Sequence, residues 1–187
     1  MLEEACRQTA RWIADHPSWS DLRISVNLSP CQVAKPDFAD MVADVLARTG
    51  VKPGNLALEI TESVLIEDTE SSLERLYALK ALGVSLVLDD FGTGYSSLKY
   101  LERFPIDELK VDRSFVAGLG SNGSAAAIVS AVVSMAGALG ITVVAEGVET
   151  ADQESRGWTL GCQFAQGYRF ARPLSPKDAE GMALLER

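Results

Sequence analysis

Short apolar segments alternate with longer amphipathic segments along the whole of this sequence. The short segments are five to seven residues long and rich in Val, Ile and Leu, whereas the long segments carry apolar residues at helical spacing. This alternation is typical of a parallel sheet whose helices form the crossover connections. We therefore predict an α/β fold with strands at 22–28, 55–60, 84–89, 108–112, 142–146 and 162–166.

The intervals between these strands predict helices. An opening helix precedes the first strand, and further helices are expected at 37–48, 68–82, 97–103, 125–139 and 150–157 and from Pro176 onward. The helix over 68–82 is expected to direct Leu73, Leu76, Tyr77 and Leu82 inward, and the helix that begins after Thr150 is expected to end near Gly157. Since no linker or low-complexity segment interrupts the pattern, residues 1–187 are predicted to be one domain.

Polar residues stand at or next to the C-terminal ends of the predicted strands. They are Asn27, Glu59, Asp89, Asp90, Lys110, Asp112, Glu146 and Gln166. In a (β/α)8 barrel of the TIM type, the strand ends converge on one bowl that holds the active site. An open doubly wound sheet instead binds its ligand at a single switch point. A whole series of polar strand ends favours the barrel, although any single one is also explained as a cap or turn residue.

The number of strands is too small for a complete barrel. Such a barrel has eight strands and about 250 residues, whereas this chain has 187 residues, six predicted strands and a helix at its start. We therefore expect a TIM-type barrel that lacks its first two strand units, that is, an N-terminally truncated domain. The two strand edges left without neighbours predict a homodimer, a higher assembly or low stability.

Charge and composition exclude several classes of function. The net charge of −9 argues against binding to nucleic acids or to anionic membranes, because both need a positive field. An anionic substrate would therefore need metal ions or a few well-placed cations. The three cysteines form no CxxC pair, which favours a reduced, cytoplasmic protein. His16 is the only histidine and lies at a predicted helix exit, so histidine-dependent nucleophilic catalysis is disfavoured.

The strand-end residues suggest a particular chemistry. Asn27, Glu59, Asp89, Asp90 and Glu146 offer only oxygen ligands, which suit Mg²⁺, Mn²⁺ or Ca²⁺. Two such ions side by side are a recurring device for hydrolysing phosphodiesters. Lys110 is the one cation among the strand ends, and it is placed to hold an attacking water or a phosphoryl oxygen. An enolase-like barrel would use the same residue types, so the reaction stays open at this point.

The glycine-rich loop at 89–97 also allows two interpretations. Its DFG triplet at 90–92 lacks the other kinase motifs, and its GxG lacks the third glycine of a dinucleotide fingerprint. We interpret the loop as a lid with glycine hinges beside Asp89. A plain tight turn is the alternative.

Six ordered motifs resemble one known family. They are NLS at 27–29, EITES at 59–63, DDFGTGYSSLKYL at 89–101, LKVDRSFV at 109–116, VAEGVET at 144–150 and AQGYRFARPL at 165–174. Their order and spacing resemble those of the EAL-domain family of cyclic di-GMP phosphodiesterases over nearly the whole chain. The resemblance implies a bacterial signalling domain with a β/α barrel that hydrolyses cyclic di-GMP to pGpG with two Mg²⁺ or Mn²⁺ ions.

The resemblance also implies roles for single residues. Asn27, Glu59 and Asp89 are similar to the ligands of one metal, Asp89 and Asp90 to those that hold a second, and Glu146 to a glutamate near both. Lys110 resembles the lysine that contacts the hydrolytic water, while Asp112, Glu149 and Gln166 match further active-site positions. Glu62 resembles the glutamate that anchors the lid, where it would accept hydrogen bonds from Thr93 or Ser96 and from loop amides.

One motif of the family is missing. The Glu-Ala-Leu segment that names it would supply another metal ligand, and this chain contains no such segment. The expected function is therefore a phosphodiesterase domain that is weak or inactive in this form. The alternatives are a receptor that binds cyclic di-GMP without cleaving it, or a regulatory domain that dimerises through the region around 97–104. Sensor or cyclase domains are expected upstream in the parent protein.

Overall fold

The computed structural model describes residues 1–62, 64, 70–92, 98–120 and 123–185. The strands are β1 (Ile24–Asn27), β2 (Leu56–Thr61), β3 (Ser85–Phe91), β4 (Glu108–Val111), β5 (Thr142–Glu146) and β6 (Phe164–Gln166). The helices are α1 (Leu2–Asp15), α2 (Pro30–Val33), α3 (Phe38–Thr49), α4 (Glu70–Ala81), α5 (Leu98–Arg103), α6 (Arg113–Ala117), α7 (Gly123–Ala138), α8 (Ala151–Leu160) and α9 (Pro176–Leu185). Within these ranges, every helix is too short or too polar to cross a membrane.

The strands form one parallel sheet in chain order, from β1 to β6. In the described residues, β1 pairs only with β2 and β6 only with β5, so the sheet has two open edges. Its order and direction agree with six β–α units whose helices carry the chain from the end of one strand to the start of the next.

The hydrophobic core lies between the sheet and its helices. In α3, Phe38, Val42, Val45 and Leu46 are buried at helical spacing, and the helix ends at Gly50, whose φ of 72° suits a residue without a Cβ. From the sheet, the strand interiors contribute fully buried leucines, isoleucines and valines such as Leu58, Ile60, Leu86, Leu88 and Val143. Burial of each such side chain stabilises the fold by roughly 1.5–3 kcal/mol.

Ion pairs between distant elements show that the sheet is curled. Arg23, just before β1, bonds the carboxylate of Glu108 in β4, although two strands lie between them. His16, directly after α1, lies 2.8 Å from Glu180 of α9, which joins the first helix to the last. The predicted fold class is therefore confirmed as a curled α/β half-barrel.

Two details of the helix predictions are wrong. Tyr77 is 52% exposed, because the buried face of α4 runs through Ser72, Leu76 and Leu79 instead. Gly157 does not end α8, which continues to Leu160 and ends at Gly161 with a φ of 97°. Gly157 lies inside the helix, where a Cβ would stand 3.7 Å from Ala145 in ordinary van der Waals contact.

Candidate active site

The polar strand ends meet on one edge of the half-barrel. Asn27 pairs in register with Glu59 across β1 and β2, Thr61 pairs with Asp89 across β2 and β3, and Glu146 pairs with Gln166 across β5 and β6. Parallel strands end on the same side of a sheet, and the curl then brings their side chains toward each other.

Lys110 of β4 connects three of these strands. Its Nζ atom lies 3.0 Å from Glu59 Oε2, 3.2 Å from Asp89 Oδ1 and 3.3 Å from Glu146 Oε1. Burial alone would lower the pKa of Lys110, but the facing carboxylates of Glu59, Glu146 and Asp89 outweigh it and raise that pKa above its usual value. The ammonium is therefore charged over the physiological range, which allows carboxylates to be buried around it.

Asp89, Asp90 and Glu146 form a second group beside this lysine. One carboxylate oxygen from each lies within 4.8 Å of the other two, a spacing that fits a bound metal ion. Successive residues of a regular strand point to opposite faces, but the β3–β4 register shifts between Leu88 and Phe91 and Asp90 has a φ of 55°. Because of this irregularity, the carboxylates of both Asp89 and Asp90 reach the same group. The sequence offers the pair of aspartates, but the bulge is visible only in the structure.

Two carboxyl groups of this cluster, those of Asp90 and Glu146, have raised pKa values because they are buried and lie beside other carboxylates. Burial and then the carboxylates of Asp89 and Asp112 raise the pKa of Asp90. Burial also raises the pKa of Glu146, with Asp89 adding to the effect and Lys110 opposing it. A cation placed among these carboxylates would relieve the repulsion, because it favours their ionised forms.

Two of the predicted metal ligands lie outside this group of three. Glu59 is 5% exposed and bonds Lys110, so it belongs to the same cluster through the ammonium. Asn27 is exposed at the end of β1, opposite Glu59 in register.

Asp112 and Glu149 lie on the loops that follow β4 and β5. Asp112 caps α6, where its Oδ1 accepts a hydrogen bond from the Ser114 backbone N–H at 3.0 Å and another from the Ser114 hydroxyl. Burial would raise the pKa of Asp112, but the bonds from Ser114 lower it overall. Glu149 is exposed, and its backbone N–H donates to Gln153 at 2.8 Å.

A cavity of about 900 Å³ opens beside these residues. Asp90, Asp112, Glu146, Glu149 and Gln166 line it together with Arg113, Ser114, Tyr168 and Arg172. Arg172 lies over the ring of Tyr168, 5.3 Å from its centre. Sequence reasoning missed Arg113, Tyr168 and Arg172, although the net charge of −9 already required a few placed cations for any anionic ligand.

Glu62 contacts the first part of the predicted lid, the loop at 89–97. Its side chain is 6% exposed, and its Oε1 accepts a bond from the Gly92 N–H at 3.4 Å. Within the described part of the chain, its Oε2 is buried without a hydrogen-bond partner. A Cβ on Gly92 would stand 2.6 Å from the Phe115 ring, so only glycine fits there. Thr93 and Ser96 lie outside the described residues.

Comparison with known proteins gives this arrangement a family. The family model of the EAL domain matches residues 1–173, which is most of the chain. The chain belongs to the EAL domain family. The resemblance inferred from the six motifs is therefore confirmed.

A curated relative of this EAL chain is the bifunctional diguanylate cyclase/cyclic di-GMP phosphodiesterase MucR of Pseudomonas aeruginosa. The two are 45% identical over 175 residues, which cover 93% of this chain and 25% of MucR. The EAL chain thus spans about a quarter of the length of that relative.

Solved structures of EAL proteins have the same fold. The EAL domain of Mycobacterium smegmatis DcpA superposes with a TM-score of 0.94 at 40% identity. The match covers 100% of this chain and 83% of the DcpA chain. Klebsiella pneumoniae BlrP1, solved as a complex with manganese and cyclic di-GMP, superposes with a TM-score of 0.80 at 35% identity. The match covers 92% of this chain and 44% of the BlrP1 chain.

Proposed function

We propose that this EAL chain provides the metal-dependent active site of a phosphodiesterase that hydrolyses cyclic di-GMP to pGpG. The observation that carries the proposal is the convergence of Asp89, Asp90 and Glu146 beside the buried Lys110, at the mouth of a large cavity. Membership of the EAL family, the activity named for MucR and the BlrP1 complex with manganese and cyclic di-GMP support the choice of substrate.

The donor set fits a hard divalent cation, Mg²⁺ or Mn²⁺. The three clustered carboxylates supply oxygen ligands at a mutual spacing that one ion can bridge, and Glu59 and Asn27 are proposed to complete the shell with two ions per site. When bound, such ions lower the pKa of a coordinated water and neutralise charge on the phosphoryl oxygens.

The chain's own residues then bind and orient the substrate. Lys110 would hold the attacking water or a phosphoryl oxygen with its ammonium, because its raised pKa keeps it protonated. Asp112 and Glu149 would act at the cavity wall, and Gln166 would contribute an amide at the end of β6. Glu62 and Thr93 are proposed to anchor the lid beside Asp89.

The cavity contains groups of both signs. Arg113 and Arg172 are two cations in its lining, while Asp90 and Glu146 are carboxylates in the same lining. A dinucleotide that carries two phosphates needs this combination, since the arginines attract its charge and the carboxylates hold the metal.

The biological setting is proposed from the relatives. We expect a cytoplasmic homodimer that belongs to a longer protein with sensor or cyclase domains, as the bifunctional MucR suggests.

Chromatography of the chain after incubation with cyclic di-GMP and Mn²⁺ tests the proposal. We expect slow formation of pGpG that stops when EDTA removes the metal, and none with Asp89→Asn. Binding of cyclic di-GMP without any pGpG would favour the receptor alternative, and no binding at all would refute both.

A further inference from the structure

The loop that follows β6 is attached to α8 by an ion pair outside the catalytic cluster. Arg169 Nε lies 3.1 Å from Glu154 Oε2, and both side chains are partly exposed. A half-exposed pair of this kind contributes only about 0.2–1 kcal/mol to stability. We therefore expect the ion pair to affect the position of the loop more than the stability of the fold.

Backbone hydrogen bonds fasten the same loop to the loop after β5. The Arg169 N–H donates to the Val148 carbonyl at 2.9 Å, and the Val148 N–H donates to the Gln166 carbonyl at 3.0 Å. Gly167 makes the approach possible, because its φ is 152° and a Cβ there would stand 2.3 Å from Val148 backbone atoms. We call the segment 166–169 with its partner Val148 the clasp.

The clasp ends on a proposed metal ligand. Gln166 donates its Nε2 to Glu146 Oε1, and the same oxygen accepts from Lys110 at 3.3 Å. Both of these bonds fall on Oε1 among the described residues, so they restrict the rotation of the carboxylate that lies beside Asp89 and Asp90. Partners that orient a metal ligand typically change metal affinity by 10–100-fold.

We infer that Arg169 and Glu154 are positioning residues: their ion pair holds the clasp, and through Gln166 the clasp sets the orientation of Glu146 and hence the affinity of the site for its metal. The inference rests on the proposed function, since it assumes that Glu146 binds a cation. Neither residue of the pair lines the cavity.

Titration calorimetry with Mn²⁺ on the full 187-residue chain tests the inference. Arg169→Ala and Glu154→Ala should each weaken Mn²⁺ binding by up to about fivefold, the upper limit for a half-exposed ion pair. The exchanged pair, Arg169→Glu with Glu154→Arg, should recover most of the affinity. If the chain is active, Arg169→Ala should raise the Mn²⁺ concentration needed for half-maximal rate and leave kcat at saturating Mn²⁺ unchanged.

Arg156→Ala is the matched control. Arg156 makes the same kind of contact, Nε to a carboxylate at 2.8 Å, on the same helix, but its partner Asp152 also lies on α8. This variant should bind Mn²⁺ like the unaltered chain. Equal weakening in Arg156→Ala, or unchanged affinity in Arg169→Ala, would overturn the inference.

Amide hydrogen exchange supplies a measurement that needs no metal. Arg169→Ala should speed exchange at the Val148 and Arg169 amides several-fold and leave the Val143 amide in β5 unchanged. If the unaltered chain does not bind Mn²⁺, the proposed metal site is refuted. The exchange rates alone then test whether the Arg169–Glu154 ion pair holds the clasp in place. Unchanged exchange at Val148 would show that the ion pair does not hold it.

Discussion

At the scale of single residues, the main feature of the site is that three carboxylates share one buried cation, the ammonium of Lys110. Lys110 is surrounded by Glu59, Asp89 and Glu146, each within 3.3 Å of its Nζ. Loss of one carboxylate still leaves Lys110 paired with two others, whereas loss of Lys110 would leave the carboxylates without their cation, which typically costs several kcal/mol. Substitutions at these positions therefore report on folding as well as on ligand binding, and amides of equal size are preferable to alanine.

Metal binding should disappear in Asp89→Asn and in Glu59→Gln. A neutral amide is a poorer ligand for a hard cation, so we expect a loss greater than the 10–100-fold typical of residues that only orient a ligand. Calorimetric titration with Mn²⁺ measures this, and Asp44→Asn on the exposed face of α3 is the control. Unchanged affinity in both variants would refute the ligand assignment.

Asp112 predicts a pH dependence of stability with a definite sign. Its pKa is lowered in the folded chain, so its ionised form stabilises the fold at pH values above its unfolded pKa of about 3.9. That contribution should be lost as the pH falls through the lower, folded pKa.

The comparison of the unaltered chain with Asp112→Asn isolates this effect. Asn keeps a capping side chain but cannot ionise, so urea unfolding should show the variant to be less stable by about 1 kcal/mol at pH 6, the excess of a charged over a neutral hydrogen bond, and the difference should shrink toward pH 3. A difference that stays constant from pH 6 to pH 3 would contradict the assignment.

At the scale of elements, the loops that follow the strands supply several of the residues that line the cavity, among them Asp112, Glu149 and Arg172. The bulge at Asp90 lies in the last part of β3, and Gly92 follows directly, where the backbone meets both Glu62 and Phe115. These contacts hold the backbone at Gly92, the last residue described before position 98.

Glu62→Gln should lower activity without loss of the fold. At 3.4 Å the bond to the Gly92 amide is long and is worth about 0.5–1.5 kcal/mol, and the amide variant would weaken it. We expect a lower kcat, a thermal midpoint within a few degrees of the unaltered chain, and faster proteolysis after residue 92. A variant with unchanged kcat and unchanged proteolysis would show that Glu62 does not anchor the lid. Glu70→Gln, at the exposed start of α4, is the control.

At the scale of the whole molecule, the open edges of the sheet are the dominant feature. Phe164 of β6 is 55% exposed, and Tyr168, Phe170 and Leu174 beyond it are also exposed. Open edges and exposed apolar side chains favour association with further strands.

Sedimentation velocity over a range of concentrations should show self-association of the 187-residue chain. Phe164→Lys should reduce it, because a charge at an edge strand opposes pairing. Ile128→Lys alters an exposed apolar side chain on α7, which connects β4 to β5 and neither edge strand, and should leave association unchanged. A chain that stays monomeric at every concentration would contradict the prediction.

The general position of the site could be predicted from the sequence because parallel strands end on one side. Glu59, Asp89, Lys110 and Glu146 each follow an apolar run, so the topology alone brings them together. The φ of Asp90 could not be predicted, since a bulge depends on how β3 and β4 pair. The length of α8 could not be predicted either, because Gly157 and Gly161 are both glycines near a helix end and only the structure shows that Gly161 adopts the left-handed conformation.

The curl of the sheet has a consequence for how the chain acquires its fold. Neighbouring strands are also successive in the chain, so each strand can join its predecessor through a short-range closure with a small entropic cost. The contacts that bend the sheet join residues 85 positions apart, Arg23 to Glu108, and 164 positions apart, His16 to Glu180. During synthesis from the N-terminus, the sheet can therefore grow strand by strand behind the ribosome. The carboxylate cluster, which needs β3, β4 and β5 together, forms only after residue 146 has emerged.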